Sequence, residues 1–326
     1  MIAIPLDKVR NIQNTYQKQI ELQRTNALTK LTTLLNESLS NEDKEYLEFV
    51  INKFKKQNDN ILLWDLKKIK KEIEKSDFKR VPTKIKKDKN GKEYTAKTGI
   101  RDKIIACLDY KGLRSTFYPN YFNDIGIKSC VYCNSQLTIV ANKRHAKFEV
   151  DHYYSKSDYP FLSITLCNLY PACASCNGSK SAKKINFELY TNDISKTKKS
   201  DYKFKLASNS KAKYLVTRDK NTIEVEFEEP NYESNEFEKF NNVFHIEGIY
   251  KTQNDLVEEL LIKSQIYNES YIKSLKTGFQ KLNLNPEIFK RIIVGNYTQD
   301  VDIHKRPMSK ITMDIARELG LIDMVE

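Results

Sequence analysis

"EVDHYYSKSDYPFLSITLCNLYPACASCNGSKS", residues 149–181, holds an Asp-His pair, an isolated Asn, a CxxC and a second Asn in one short run. These are metal-binding and proton-transfer groups. A second CxxC, "CVYC" at 130–133, precedes it. Thiolates two residues apart reach one ion, so Cys130, Cys133, Cys173 and Cys176 are expected to hold a structural Zn2+ in a closed tetrahedral shell. The 39 residues between Cys133 and Cys173 exceed ordinary finger spacing, so a folded insert is expected there. Unliganded buried cysteines are the bland alternative. A redox CxxC is another, but it lacks a thioredoxin-like βαβ context.

The insert carries a different chemistry. "KFEVDHYY" is β-prone and sets Asp151 beside His152. Neighbours on a strand face opposite sides, yet at a strand's end both can converge on one cleft. Carboxylate is a hard donor suited to Mg2+, and imidazole suits proton transfer near neutral pH. Asn168 follows a loop of 15 residues. Asn177 is read as lying in the first turn of a helix that begins near the second CxxC, and its amide oxygen is another hard donor.

The order "CVYC", "VDH", "NL", "CASCNGSK" resembles the HNH (ββα-metal) nucleases of the subtype flanked by two CxxC pairs, over about residues 128–186. The "NGSKS" tail also resembles the HNH domain of RNA-guided CRISPR nucleases. The resemblance implies that His152 is the general base activating water. It implies that Asp151 and Asn177 hold one Mg2+ or Mn2+ against the scissile phosphate and the leaving 3′ oxygen. Asn168 would brace the loop and orient His152. Asn177 stands where the family name has His, which bears on the choice of metal. Backbone donors at a helix N-terminus around Asn177 to Lys180 are expected to face the phosphate. Lys156, Lys180, Lys183 and Lys184 are candidates for flanking phosphates, each equally open to an idle role. Zinc-flanked HNH proteins with long flanks also resemble effectors of bacterial anti-phage systems, including Septu-type nucleases that work with an ATPase partner.

Composition is consistent with this. The 326 residues carry 40% hydrophobic and 30% charged side chains, with 9 Gly and 8 Pro, as in a folded protein with a real core. The net charge of +12 favours a polyanionic partner, most simply double-stranded DNA, although lysine-rich chains also carry solvated lysines. Six cysteines in a chain of this kind do not read as a disulfide framework. "MIAIPLDKVR" meets charge before an apolar signal region forms, and no run approaches a membrane helix, so a cytoplasmic location and no membrane contact are expected. With no internal repeat and no P-loop motif, nucleotide hydrolysis by this chain is not expected.

The expected fold class is α+β: a zinc-stapled ββα-metal core flanked by helical N- and C-terminal regions and short strands. Residues 1–98 form a helical region ending in a basic linker or hairpin, 99–190 the nuclease core, 191–250 short strands and 251–326 a helical region. "SNED" at 40–43 caps a helix with Tyr46, Leu47, Val50, Ile51 and Phe54 on one stripe. Ile61, Leu62, Trp64, Leu66, Ile69 and Ile73 continue it, with Trp64 in the core. Asn90-Gly91 predicts a two-residue hairpin turn, and the lysines around it are either a phosphate-touching arm or a solvated linker. "YKFKLA", "AKYLVTR" and "TIEVEFE" predict strands joined by turns such as "RDKN". "TQND" at 252–255 caps a helix whose stripe runs through Leu256, Leu260, Tyr267, Tyr271, Leu275 and Phe279. Pro307 and Gly320 bracket the last helix. His145 is expected in a turn, His245 and His304 as structural or surface residues, Glu149 as an outward strand residue, and Cys167 as a small core residue, while Cys107 stands alone. The helical flanks leave oligomerisation open. The competing reading is a zinc-ribbon nucleic-acid-binding or adaptor protein without catalysis.

Overall fold

The computed structural model describes residues 1–142, 145–231, 236–283 and 285–323, with the side chains of 141, 142, 145 and 146 excepted. It mixes helices with small two-stranded sheets, in keeping with an α+β protein. The chain opens with β1 (Ile4–Pro5), α1 (Leu6–Thr15), α2 (Gln17–Leu34), α3 (Asn41–Lys55) and α4 (Leu66–Ile73). Ser40 Oγ accepts from the Asp43 N–H at 3.2 Å and so caps α3, whose stripe from Tyr46 to Phe54 is buried. Trp64 is a core residue, and its indole N–H donates to Asp59. Asp65 caps α4.

Next come β2 (Thr83–Lys87) and β3 (Glu93–Lys97), an antiparallel hairpin. Its loop spans five residues, not the two expected from Asn90-Gly91. Asp88 explains this: its carboxylate accepts the N–H groups of Asn90 and Lys92, and only Gly91, at φ +78°, enters the left-handed region. A two-residue type I′ turn would need Asn90 there too.

Three short helices follow, α5 (Ile100–Cys107), α6 (Tyr110–Thr116) and α7 (Tyr118–Ile125), then β4 (Ile139–Asn142) and β5 (His145–Lys147). His145 therefore begins a strand and not a turn; its side chain and residues 143–144 lie outside the described residues. β6 (Glu149–His152) pairs antiparallel with β7 (Leu169–Ala172), matching Asp151 to Tyr170 and His152 to Leu169. α8 (Ala174–Lys180) follows directly and packs against β6.

β8 (Tyr190–Thr191) runs parallel to β1, so the chain's start is stitched to the end of this unit. After α9 (Ile194–Lys198), β9 (Lys203–Leu206) leads to α10 (Ser210–Thr217) and β10 (Val225–Glu228), which pairs with β9. "AKYLVTR", expected as a strand, belongs to α10. Burial there follows Ser210 and Tyr214, an i, i+4 pair, while Val216 is exposed. That is a helical period, and no alternation competes with it.

The C-terminal region holds α11 (Phe240–Phe244), α12 (Ile246–Lys251), α13 (Asn254–Ile266), α14 (Glu269–Lys281), α15 (Pro286–Val294) and α16 (Ser309–Glu318). "TQND" makes no side-chain cap; Asn254 Nδ2 instead donates to the Ile223 carbonyl. The expected long stripe is two helices, because Asn268 ends the first and caps α14 through the Tyr271 N–H. Gly320, at φ +74°, closes α16 as expected. One hydrophobic cluster runs from Met1 to Ile322, and a small second one joins Ile272, Phe289 and Ile293.

Candidate zinc centre and proton-transfer site

The loop holding Cys130 and Cys133 is fixed before any ion is considered. Asn134, at φ +54°, donates from its amide to the Ile303 carbonyl and accepts from the Lys310 N–H, tying the loop to the start of α16. Tyr250 Oη donates to the Cys133 carbonyl at 2.6 Å. Cys173 stands at the N-cap of α8 and Cys176 within it. The four sulfurs all lie within 4.8 Å of one another, and Cys133 and Cys173 are 3.9 Å apart. A zinc tetrahedron with Zn–S near 2.3 Å has S···S edges of about 3.8 Å, so the four thiolates are compatible with structural Zn2+. Backbone N–H groups of Cys173, Cys176 and Ser135 point at the sulfurs, as thiolate charge requires. Burial, then the neighbouring Cys133 and Cys173 sulfurs, pushes the Cys130 thiol well up, which a bound cation would reverse. Among the described residues this is the one cluster of three or more such donors.

The Asp-His pair lies next to this centre and is joined to it by Tyr132, the second of the two residues between the first two cysteines. Tyr132 Oη donates to Asp151 Oδ2 at 2.5 Å, and Lys180 Nζ meets the same oxygen at 3.1 Å. Lys180 also donates to the His152 carbonyl at 2.8 Å. Burial raises the Asp151 pKa, against the opposing pull of Lys180 and Tyr132. His152 Nε2 lies 3.1 Å from the Ser163 carbonyl. A carbonyl only accepts, so Nε2 carries the proton and Nδ1 keeps the lone pair. The ring packs against Tyr110, whose hydroxyl donates to the Val150 carbonyl. Burial, then the nearby Lys156 charge, lowers the His152 pKa to about 3, which leaves the imidazole neutral at pH 7.

Asn168 is fully buried and uses both ends of its amide. Oδ1 accepts from the Tyr154 N–H at 2.7 Å, and Nδ2 donates to the carbonyls of Tyr154 and Leu162, each at 3.1 Å. It thereby clasps the loop that supplies Ser163 to His152, without touching the ring in these bonds. Asn177 sits half-buried at the middle of α8, where its N–H donates to the Cys173 carbonyl.

Two expectations about α8 fail. Its N-terminus is at Cys173, so Asn177 to Lys180 form its C-terminal end and offer no N-terminal donors to a phosphate. Lys180 is 1% exposed and bound to Asp151, so it is not a surface phosphate contact. Lys183 and Lys184 are exposed and face Glu238 and Glu236, and Lys156 lies over the Tyr110 ring. Glu149 pairs with Arg114 at 2.7 Å. His245 is exposed, whereas His304 is buried with Nε2 on the Ile2 carbonyl; Cys167 is buried in the core. Sequence reasoning missed Tyr132, Tyr110 and Ser163. The position of Tyr132 inside the CxxC was the one available signal.

No family model and no solved structure matches this chain significantly. A 51-residue stretch is 39% identical to the Septu protein PtuB of Bacillus thuringiensis, covering 16% of this chain and 18% of that protein. The chain thus matches under a fifth of that relative's length. Among the described residues, no helix is long and apolar enough to cross a membrane.

Proposed function

We propose that this chain is a metal-dependent endonuclease of the HNH type that hydrolyses DNA phosphodiester bonds, acting as an effector of bacterial anti-phage defence. The observation that carries the reading is the antiparallel β6–β7 pair followed by α8 against β6, with a neutral His152 held through Nε2 on the first strand. The partial likeness to a Septu protein supports the defence role; an ATPase partner is what the resemblance to Septu-type nucleases implies.

In this reading water attacks phosphorus, its proton passes to His152 Nδ1, and the P–O3′ bond breaks. The Ser163 carbonyl fixes the tautomer, and Asn168 fixes the loop bearing that carbonyl. Asp151 and Asn177 would hold the divalent cation. One carboxylate and one amide oxygen suffice for Mg2+, which keeps waters and takes the rest of its shell from substrate phosphate. The cation, when bound, would stabilise charge on the phosphoryl and leaving oxygens. Lys180 already neutralises Asp151 through Oδ2, so a cation at that carboxylate would compete with the ammonium.

That pairing also favours a second reading, a zinc-stapled nucleic-acid-binding or adaptor protein without cleavage. Plasmid nicking by purified protein with Mg2+ or Mn2+ separates the two. Cleavage abolished by chelation and by Asp151→Asn supports the nuclease; duplex binding without any cleavage supports the alternative.

A further inference from the structure

We infer that the hairpin β2–β3 is a DNA-binding ribbon that lays its lysines along the phosphates flanking a groove. The inference rests on the nucleic-acid reading above and assigns that reading a surface. Residues 83–97 carry six lysines against Asp88 and Glu93, a net +4 of the chain's +12 in fifteen residues. Among the described residues, Lys84, Lys86, Lys89 and Lys92 have no carboxylate within ion-pair distance; Lys87 faces Glu93 at 3.5 Å. Every residue of β2 is exposed, and so are Ile85 (70%) and Tyr94 (49%) on opposite faces. An isolated two-stranded ribbon buries too little to stabilise itself, so a ribbon this exposed is best explained by what it binds.

The charge chooses the occupant. Directly opposed residues share a face, which puts Lys84 and Lys86 with Tyr94 and Ala96 on one side. The tip adds Lys89 and Lys92. A two-stranded ribbon fits the major groove of B-DNA, where lysines at its margins meet phosphates of both strands. At about 3.4 Å per residue, the five rungs reach roughly 17 Å from the body. The base of the ribbon is not free. Thr98 N–H donates to the Pro82 carbonyl, Thr98 Oγ1 donates to Asp43, and Lys97 pairs with Asp158 at 3.0 Å. Asp158 lies in the loop that follows His152, so a duplex gripped by the ribbon is held beside that loop.

The test replaces Lys84, Lys86, Lys89 and Lys92 by Gln in the full chain. A control replaces the exposed Lys18, Lys67, Lys211 and Lys213 by Gln. Anisotropy with a labelled DNA duplex over a range of salt reads affinity, and plasmid nicking and melting are measured alongside. The ribbon variant should melt like the parent, bind at least tenfold more weakly at low salt, and lose about 3 units of the log–log salt slope. It should still nick when DNA is abundant at low salt. The control should lose much less. Ribbon and control variants binding alike, with the parent binding and cutting DNA, would overturn the ribbon and leave the nuclease standing. A parent that binds no duplex would overturn both. Preference for RNA, or loss of an acidic protein partner with DNA binding intact, would also overturn the ribbon.

Discussion

The four-cysteine centre and the Asp151–His152 site lie side by side, share Tyr132, and are prepared to different degrees. The sulfurs are already near tetrahedral spacing, with backbone donors aimed at them. The carboxylate of Asp151 instead carries an internal cation, Lys180, and its neighbour His152 is buried and neutral. In a structural ion site the free energy of binding is free energy of folding, so sulfur spacing and ion are expected to form together. A carboxylate buried without a partner is costly, and Lys180 balances the charge of Asp151; in the proposed nuclease a divalent cation would compete with that ammonium.

The largest expected effect breaks the first region. Cys173→Ala should abolish the roughly one zinc per chain and, since metal binding is folding energy, lower the melting temperature severely and take activity with it. Elemental analysis and thermal unfolding check this; a stable, fully zinc-loaded variant would remove the centre.

Lys180→Met tests the second region. It strands the Asp151 carboxylate and should cost about 3–5 kcal/mol in zinc-loaded protein dialysed free of Mg2+. Adding Asp151→Asn should recover much of that loss, as should Mg2+ added to the single variant. Equal instability of the single and double variants in denaturant titrations would refute the pairing.

Acid tests the edge of the first region, where the His304 carbonyl accepts from the Lys128 and Ser129 N–H groups. Burial lowers the His304 pKa to about 4, while the unfolded chain protonates near 6.5. Its contribution is therefore full above about pH 6.5 and is lost as pH falls toward 4, by up to about 3 kcal/mol. His304→Gln should flatten urea midpoints across that window; an unchanged pH dependence would contradict it. The smallest effect is at the rim. Lys184→Gln removes an exposed pair with Glu236 and should change stability by less than about 1 kcal/mol, measured the same way.

Legibility in the sequence divided along the same line. Spacing alone exposes the cysteine quartet, because a CxxC pair encodes its geometry locally, and the Ser40 cap and Tyr46–Phe54 stripe are equally local. The partners of Asp151 are not local: Tyr132 and Lys180 arrive from 19 and 29 positions away, through a loop and a helix end. Lys180 read as a surface cation because nothing near it in sequence announces burial. Asp88 changed the hairpin turn by a side-chain bond that the dipeptide Asn90-Gly91 does not encode.

The most direct measurement compares His152→Ala and His152→Asn with the parent for plasmid nicking, zinc content and melting. If His152 is the proton acceptor, both variants keep zinc, Asn stays near parental stability, and Mg2+- or Mn2+-dependent nicking falls about 10²–10⁴-fold. Folded, zinc-loaded variants that nick at the parental rate would contradict the assignment.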